Sequence, residues 1–208
     1  MDTTLDDFDK NVFLNCPFDP DYDEIFKSII FTIIDCGFIP HTAFEESNAN
    51  ISRLERIMAI ILKCRFGIHD ISRTTLDDNQ LPRFNMPFEL GLDIGCSKFG
   101  EANCRRKVSL ILDTEKFRYQ KFISDIGGQD IKDHDAQVGK AIKAVRNWFN
   151  RYKNRVISIP TGVQICDRFL QFSNDLPLIC ANRKWEIDQL DYIDLANIMA
   201  GWIVERPF

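Results

Sequence analysis

An open doubly wound α/β fold, with a parallel sheet and a C-terminal helical extension, is predicted by three observations. Short apolar segments alternate with amphipathic ones in the order β-α-β-α-β-α-β along the first half of the chain. The first and fourth strand segments, Val12-Phe13-Leu14 and KVSLILD at 107–113, are continuously apolar, the pattern of a sheet covered on both faces. The second half then turns mainly to helical periodicity. One domain over 1–208 is expected, with an α/β core at 11–113 and a loop and helical cap at 114–208 packed on it.

Each element has its own signal. The first strand runs into Asn15-Cys16-Pro17-Phe18-Asp19-Pro20, where two prolines stop it. Tyr22, Ile25, Phe26, Ile29, Ile30, Ile33 and Ile34 recur at i, i+3, i+4 and predict a helix over 21–35. Its N-terminal end carries acidic residues, which the helix dipole favours, and Gly37 ends it. A second strand is read at 38–43 and a polar stretch at 45–50. A second helix then places Ile51, Leu54, Ile57, Met58, Ile61 and Leu62 on one face. Arg53 and Arg56 fall on the opposite face and are expected to meet solvent.

A third strand spans 65–71 and a loop 72–84. A third helix follows at 86–98, with Pro87 in its first turn, where the missing N–H costs nothing. These four strands are expected in one parallel sheet with the first central. Residues 114–134 read as loop, 135–151 as helix and 155–159 as a short strand, followed by helices at 163–174 and 191–204.

Composition excludes several classes of function. The 208 residues are 45% hydrophobic and 27% charged with a net charge of −5, which argues against disorder and against nucleic-acid binding driven by bulk charge. No apolar run approaches the ~18–20 residues of a membrane span. Met1 to Lys10 is acidic and lacks the apolar core of a secretory leader, so the cytoplasm is the expected compartment. The seven cysteines are scattered without a CxxC, and the three histidines do not cluster with them, so buried, reduced thiols are expected rather than disulfides or zinc. Cys16 has no basic neighbour to activate it. Asp77-Asp78 and Asp130, Asp133, His134 are the acidic groupings nearest to a metal set, and both read better as solvated loop charges. Neither a Walker A motif nor GxGxxG occurs.

In open parallel sheets ligands bind beyond the carboxyl ends of the strands. Those ends carry Asn15 to Phe18, Ala43 to Glu46, Asp70 to Arg73 and the helix start Arg83-Phe84-Asn85-Met86-Pro87-Phe88-Glu89-Leu90-Gly91. Glu89 falls at an exposed helix start, where a carboxylate serves either helix electrostatics or chemistry.

The blocks "VFLNCPFD", "CRFGIHDIS" and "RFNMPFELGL", in this order, resemble the superfamily of nucleoside 2-deoxyribosyltransferases and Toll/interleukin-1 receptor (TIR) domains. More narrowly they are similar to bacterial TIR-like proteins of phage defence, as is "FISDIGGQDIKDH" at 122–134. The resemblance covers 11–135 and implies a flavodoxin-like sheet. It also implies N-glycosidase chemistry, cleavage of the ribose–base bond of NAD or a related nucleotide, by an effector of antiphage defence. The transferases carry a catalytic Glu in D-x-G-x-x-x-E-[LI]-G, and the matching position is Glu89, followed by Leu90-Gly91. Arg83 stands where they carry Asp, and Asn85 where they carry Gly. The deoxyribose-handling acid is thus missing, which favours a ribonucleotide whose phosphates Arg83 pairs with.

With that chemistry, position at the strand ends and helix start makes Asn15, Phe18, Glu45, Asp70, Arg83 and Asn85 the candidate substrate contacts. Phe18 or Phe88 would stack on the base and Asp70 would hold a ribose hydroxyl. Each has a structural alternative: core packing for the rings, solvation for Glu45, and capping of the turn at Ser72 for Asp70. Asp125 and His134 either form a lid or tie the cap to the core. Glu89, Asn15, Phe18 and Asp70 are expected to share one pocket. No cofactor is implied, NAD being the substrate. The implied partners are an activating defence protein and further copies of this chain. The alternatives are a nucleotide sensor and a TIR-like protein-interaction module, both without turnover.

Overall fold

The computed structural model describes residues 7–45, 50–74, 83–152 and 158–208. Their strands are β1 (Asn11–Asn15), β2 (Ile39–His41), β3 (Phe66–Asp70), β4 (Val108–Asp113) and β5 (Asp130–Asp133). They form one sheet of order β2-β1-β3-β4-β5 in which every pairing is parallel. The helices are α1 (Asp23–Asp35), α2 (Arg53–Lys63), α3 (Asn85–Phe99), α4 (Val138–Phe149), α5 (Gly162–Arg183) and α6 (Tyr192–Glu205). The chain is therefore an α/β doubly wound protein with a helical C-terminal region, and all four expected strands lie in its sheet. No helix of the described residues is long and apolar enough to cross a membrane.

Three expectations need correction. β3, not β1, is the central strand, because the sheet continues past β4 to β5. β5 lies in a stretch that reads as loop: it is Asp-Ile-Lys-Asp, an edge strand with one partner and charged side chains, so it leaves no apolar run. α5 runs to Arg183 through Pro177, well past 174. Phe172, Leu176 and Cys180 keep its buried stripe going at i, i+4, i+8, and that packing outweighs the proline. The expected strand at 155–159 falls largely outside the described residues, as do most of the loop at 72–84, the pair Asp77-Asp78 and part of the polar stretch at 45–50.

Alternation along the strands sorts side chains to the two faces. Val12, Leu14, Phe66, Ile68, Leu110 and Leu112 join α1, α4, α5 and α6 in the larger apolar cluster. Phe13 meets Ile57, Ile60 and Ile61 of α2 on the other face, and Ile111 meets Met86 and Leu90 of α3. The same alternation turns Asn15 and His69 toward α2 and α3, with the His69 ring 5.7 Å from that of Phe13. α2 opens with a capping box in which Ser52 and Glu55 exchange bonds of 3.2 and 2.7 Å. Arg168 of α5 grips Asp35 of α1 with two guanidinium nitrogens at 3.0 and 2.9 Å.

Gly67 of β3 lies directly under α3. A Cβ there would stand 2.6 Å from Asp93 Oδ2 and 2.7 Å from His69 Nε2, both buried polar atoms with fixed partners. Gly67→Ala is expected to cost about 1–3 kcal/mol in urea unfolding through overpacking. An unchanged midpoint would show that the helix and sheet do not meet this closely.

Candidate functional site

A cavity of about 390 Å3 opens at the carboxyl edge of the sheet, a volume within the usual range for small-molecule sites. Three elements shape it. β1 delivers Asn15, and the loop that follows carries Phe18 and Asp19. α3 begins at Asn85 and brings Asn85, Met86 and Glu89. α2 begins at Arg53, immediately after its capping serine, and points that side chain over the cavity. Arg83 closes the rim, 3.2 Å from Asp19 Oδ2, while Arg73 takes Asp19 Oδ1 at 3.0 Å.

Glu89 is the buried charge of this cavity. It is 4% exposed, so its expected place at an exposed helix start is corrected. α3 begins four residues earlier at Asn85, and its turn carries Glu89 inward. Burial pushes the Glu89 carboxyl above its ordinary value. The Arg53 guanidinium, with Nη2 3.5 Å from Oε1, pulls the other way. Arg53 itself is half exposed, so the reading of its face as solvent-directed holds for only part of the side chain.

Behind the cavity runs a buried polar chain. Asn15 Nδ2 donates to the Met86 carbonyl at 2.9 Å and meets His69 Nδ1 at 3.1 Å. His69 Nε2 meets Asp93 Oδ2 at 3.1 Å, and Ser109 Oγ donates to the same oxygen at 2.6 Å. Lys107 Nζ stands 3.0 Å from Asp93 Oδ1 and also donates to the carbonyls of Ile61, at 2.7 Å, and Cys64. An amide nitrogen can only donate, so His69 Nδ1 accepts from Asn15 and Nε2 carries the proton given to Asp93. Asp93 is held well below the usual carboxylate range because His69, Lys107 and Ser109 outweigh its burial.

The structure brings together Asn15, Phe18, Arg83, Asn85 and Glu89, and it adds Arg53. It does not bring in Asp70, Glu45 or Phe88. Asp70 is fully buried and its oxygens are engaged by Tyr22 Oη at 2.5 Å, Ser72 N at 2.8 Å and His134 Nε2 at 2.9 Å. It caps the turn at Ser72 and ties β3 to the end of β5, which makes His134 a structural tie as well. Glu45 is held by His41 at 2.7 Å and Lys63 at 3.3 Å, beside Tyr192 of α6 and away from this cavity. Phe88 is exposed and does not line it. Cys16 is buried, and burial pushes its thiol up, which makes it inert. Arg53 had a legible signal: it opens the helix that follows β2, at the same edge as the other loops. The chain through His69, Asp93 and Lys107 had little, since its members have no common spacing in the sequence.

Comparison of the chain with models of known families, with curated proteins and with solved structures finds no match.

Lys107→Met should destabilise the fold by about 3–5 kcal/mol, because it strands the Asp93 charge. Lys107→Met combined with Asp93→Asn should recover part of that loss in the same urea titration. Additive costs would mean the two groups do not act as a pair.

Proposed function

We propose that this protein is an N-glycosidase that cleaves the ribose–base bond of NAD or a related nucleotide. The observation that carries the reading is the Glu89 carboxylate, buried against a cavity of nucleoside size at the carboxyl edge of a parallel sheet. It sits in the helix start "RFNMPFELGL", the block similar to the transferase motif. On the same resemblance the protein works as an effector of antiphage defence, switched on by a partner protein or by assembly of further copies, and its proposed compartment is the cytoplasm.

In the proposed reaction the bond between C1′ and the base nitrogen breaks and the base leaves with the electron pair. From NAD the base departs as neutral nicotinamide, so it needs no proton and the site needs no strong general acid. The sugar passes through an oxocarbenium-like state. Glu89, ionised and poorly hydrated, faces that positive charge and stabilises it. Water then adds to C1′ and gives up its proton, with Glu89 placed to receive it. Phe18 offers a ring to the base at the cavity mouth, and Arg83 and Arg53 offer charge to phosphates. A second reading, a sensor without turnover, draws on the pairing of Arg53 with Glu89 and of Arg83 with Asp19, which gives both carboxylates of the cavity an arginine before any ligand arrives.

Purified protein incubated with NAD and a nucleoside panel, with any activating partner present, should release base detectable by chromatography. Glu89→Gln should lower that rate by about a hundredfold or more, since a preorganised charge is worth ~3 kcal/mol. Binding should fall far less, because the carboxylate acts on the transition state. Release at the wild-type rate from Glu89→Gln contradicts the role of Glu89, and release from no nucleotide puts the sensor reading first.

The pH profile has a definite sign. Activity needs the ionised carboxylate, so the rate falls as pH drops through the Glu89 pKa, which burial has raised. Arg53 lowers that pKa, so Arg53→Ala should move the acidic limb to higher pH. A limb that stays in place or moves down would remove Glu89 as the titrating group.

A further inference from the structure

We propose that Asn15 decides which sugar the cavity accepts, reading a ribose 2′-hydroxyl as a hydrogen-bond acceptor and rejecting 2′-deoxyribose. This rests on the reading of the Glu89 cavity as a nucleotide site. The Asn15 amide has two hydrogens, and both are spent: one on the Met86 carbonyl at 2.9 Å, the other on His69 Nδ1 at 3.1 Å. Asn15 nevertheless lines the cavity. Its carbonyl oxygen is the group left to meet a ligand, and it can only accept.

The amide cannot turn over to offer its nitrogen instead. A flip would set Oδ1 against the Met86 carbonyl and the lone pair of His69 Nδ1. His69 cannot compensate by moving its proton to Nδ1, because Nε2 donates it to Asp93 at 3.1 Å. Asp93 is in turn fixed by Ser109 at 2.6 Å and Lys107 at 3.0 Å. The polarity of the cavity wall is thus set by a buried chain that ends at a lysine beside Asp93, one turn beyond Glu89 on the same face of α3. His69, Asp93 and Lys107 are positioning residues for Asn15.

The place of the amide selects a sugar hydroxyl over a base amino group. Asn15 bonds the carbonyl of Met86, one turn before Glu89 on α3, so amide and carboxylate stand together at the buried end of the cavity. Both are at most 4% exposed, whereas Phe18 at the mouth is 39% exposed. Glu89 must lie beside C1′ to act, and the donor nearest C1′ is the 2′-hydroxyl. A ligand without it leaves a desolvated acceptor unpaired, a loss of about tenfold or more in affinity.

The test measures dissociation constants by calorimetry for nicotinamide riboside, its 2′-deoxy and 3′-deoxy forms, and the riboside of pyridine, which lacks the carboxamide. Wild type should prefer the parent over the 2′-deoxy form by about tenfold or more. Asn15→Ala should shrink that ratio to within about threefold, and His69→Phe should do the same by freeing the amide to rotate. His69→Asn restores an acceptor near the position of Nδ1 and should return the ratio toward wild type, which a purely structural role for His69 would not produce. Circular dichroism checks that each variant is folded. If His69→Phe is not, Asn15→Ala and His69→Asn decide.

Equal affinity of wild type for the parent and 2′-deoxy forms overturns the proposal. So does a preference confined to the 3′-hydroxyl or the carboxamide, a ratio untouched by Asn15→Ala, or binding of none of the four. Base release is a separate readout. If binding follows this pattern and no base is released, the catalytic reading fails and this one stands. If base is released with no 2′ preference, the reverse holds.

Discussion

The carboxylate of Asp93, buried between a helix and the sheet, is the constraint on which the site depends. It binds His69 of β3, Ser109 of β4 and Lys107, whose ammonium also takes two carbonyls at the end of α2. Four elements meet at one charge pair, and a change to either member leaves the other stranded in low dielectric. The close approach this requires leaves no room for a Cβ at position 67, which is glycine. It also fixes α3 axially. Glu89 lies one turn before Asp93 on the same helical face, so a helix pinned through Asp93 delivers Glu89 to the cavity and Met86 to Asn15.

Placing Glu89 there costs stability. Burial disfavours its charged form, and Arg53 offsets this only in part, being half exposed and 3.5 Å away. Exposed or half-exposed pairs of this kind contribute little to folding, on the order of 0–1 kcal/mol. A carboxylate kept buried with so weak a partner is poorly explained by stability and well explained by chemistry. Asp93 is the contrast: also buried, but fully paired and held strongly ionised, as a structural group should be.

The fold was legible where burial wrote a pattern. β1 and β4 have apolar centres, α1 and α2 repeat at helical spacing, and all four expected strands lie among the five of the sheet. β5 was hidden because an edge strand needs no apolar face. The length of α5 was hidden because Pro177 looks like a stop and only packing at Leu176 and Cys180 carries the helix past it. At the site, position along the chain found Asn15, Phe18, Arg83, Asn85 and Glu89, since all follow strand ends or open a helix. Asp70 met the same rule and still failed it, because Tyr22 and His134 close over that strand end. The buried relay was hidden for a different reason: hydrogen-bond partners from three strands and a helix have no common spacing. Its two local hints are a glycine inside a strand and a lysine at the threshold of an apolar one.

The central claim is that Glu89 faces positive charge developing on a sugar. The most direct measurement is the α-secondary deuterium isotope effect on nicotinamide release, with NAD labelled at C1′ of the nicotinamide riboside. An oxocarbenium-like transition state loosens the C1′–H bending motions, so an effect clearly above one is predicted. An effect of one in a step shown to be chemistry, or no nicotinamide released at all, would contradict the account.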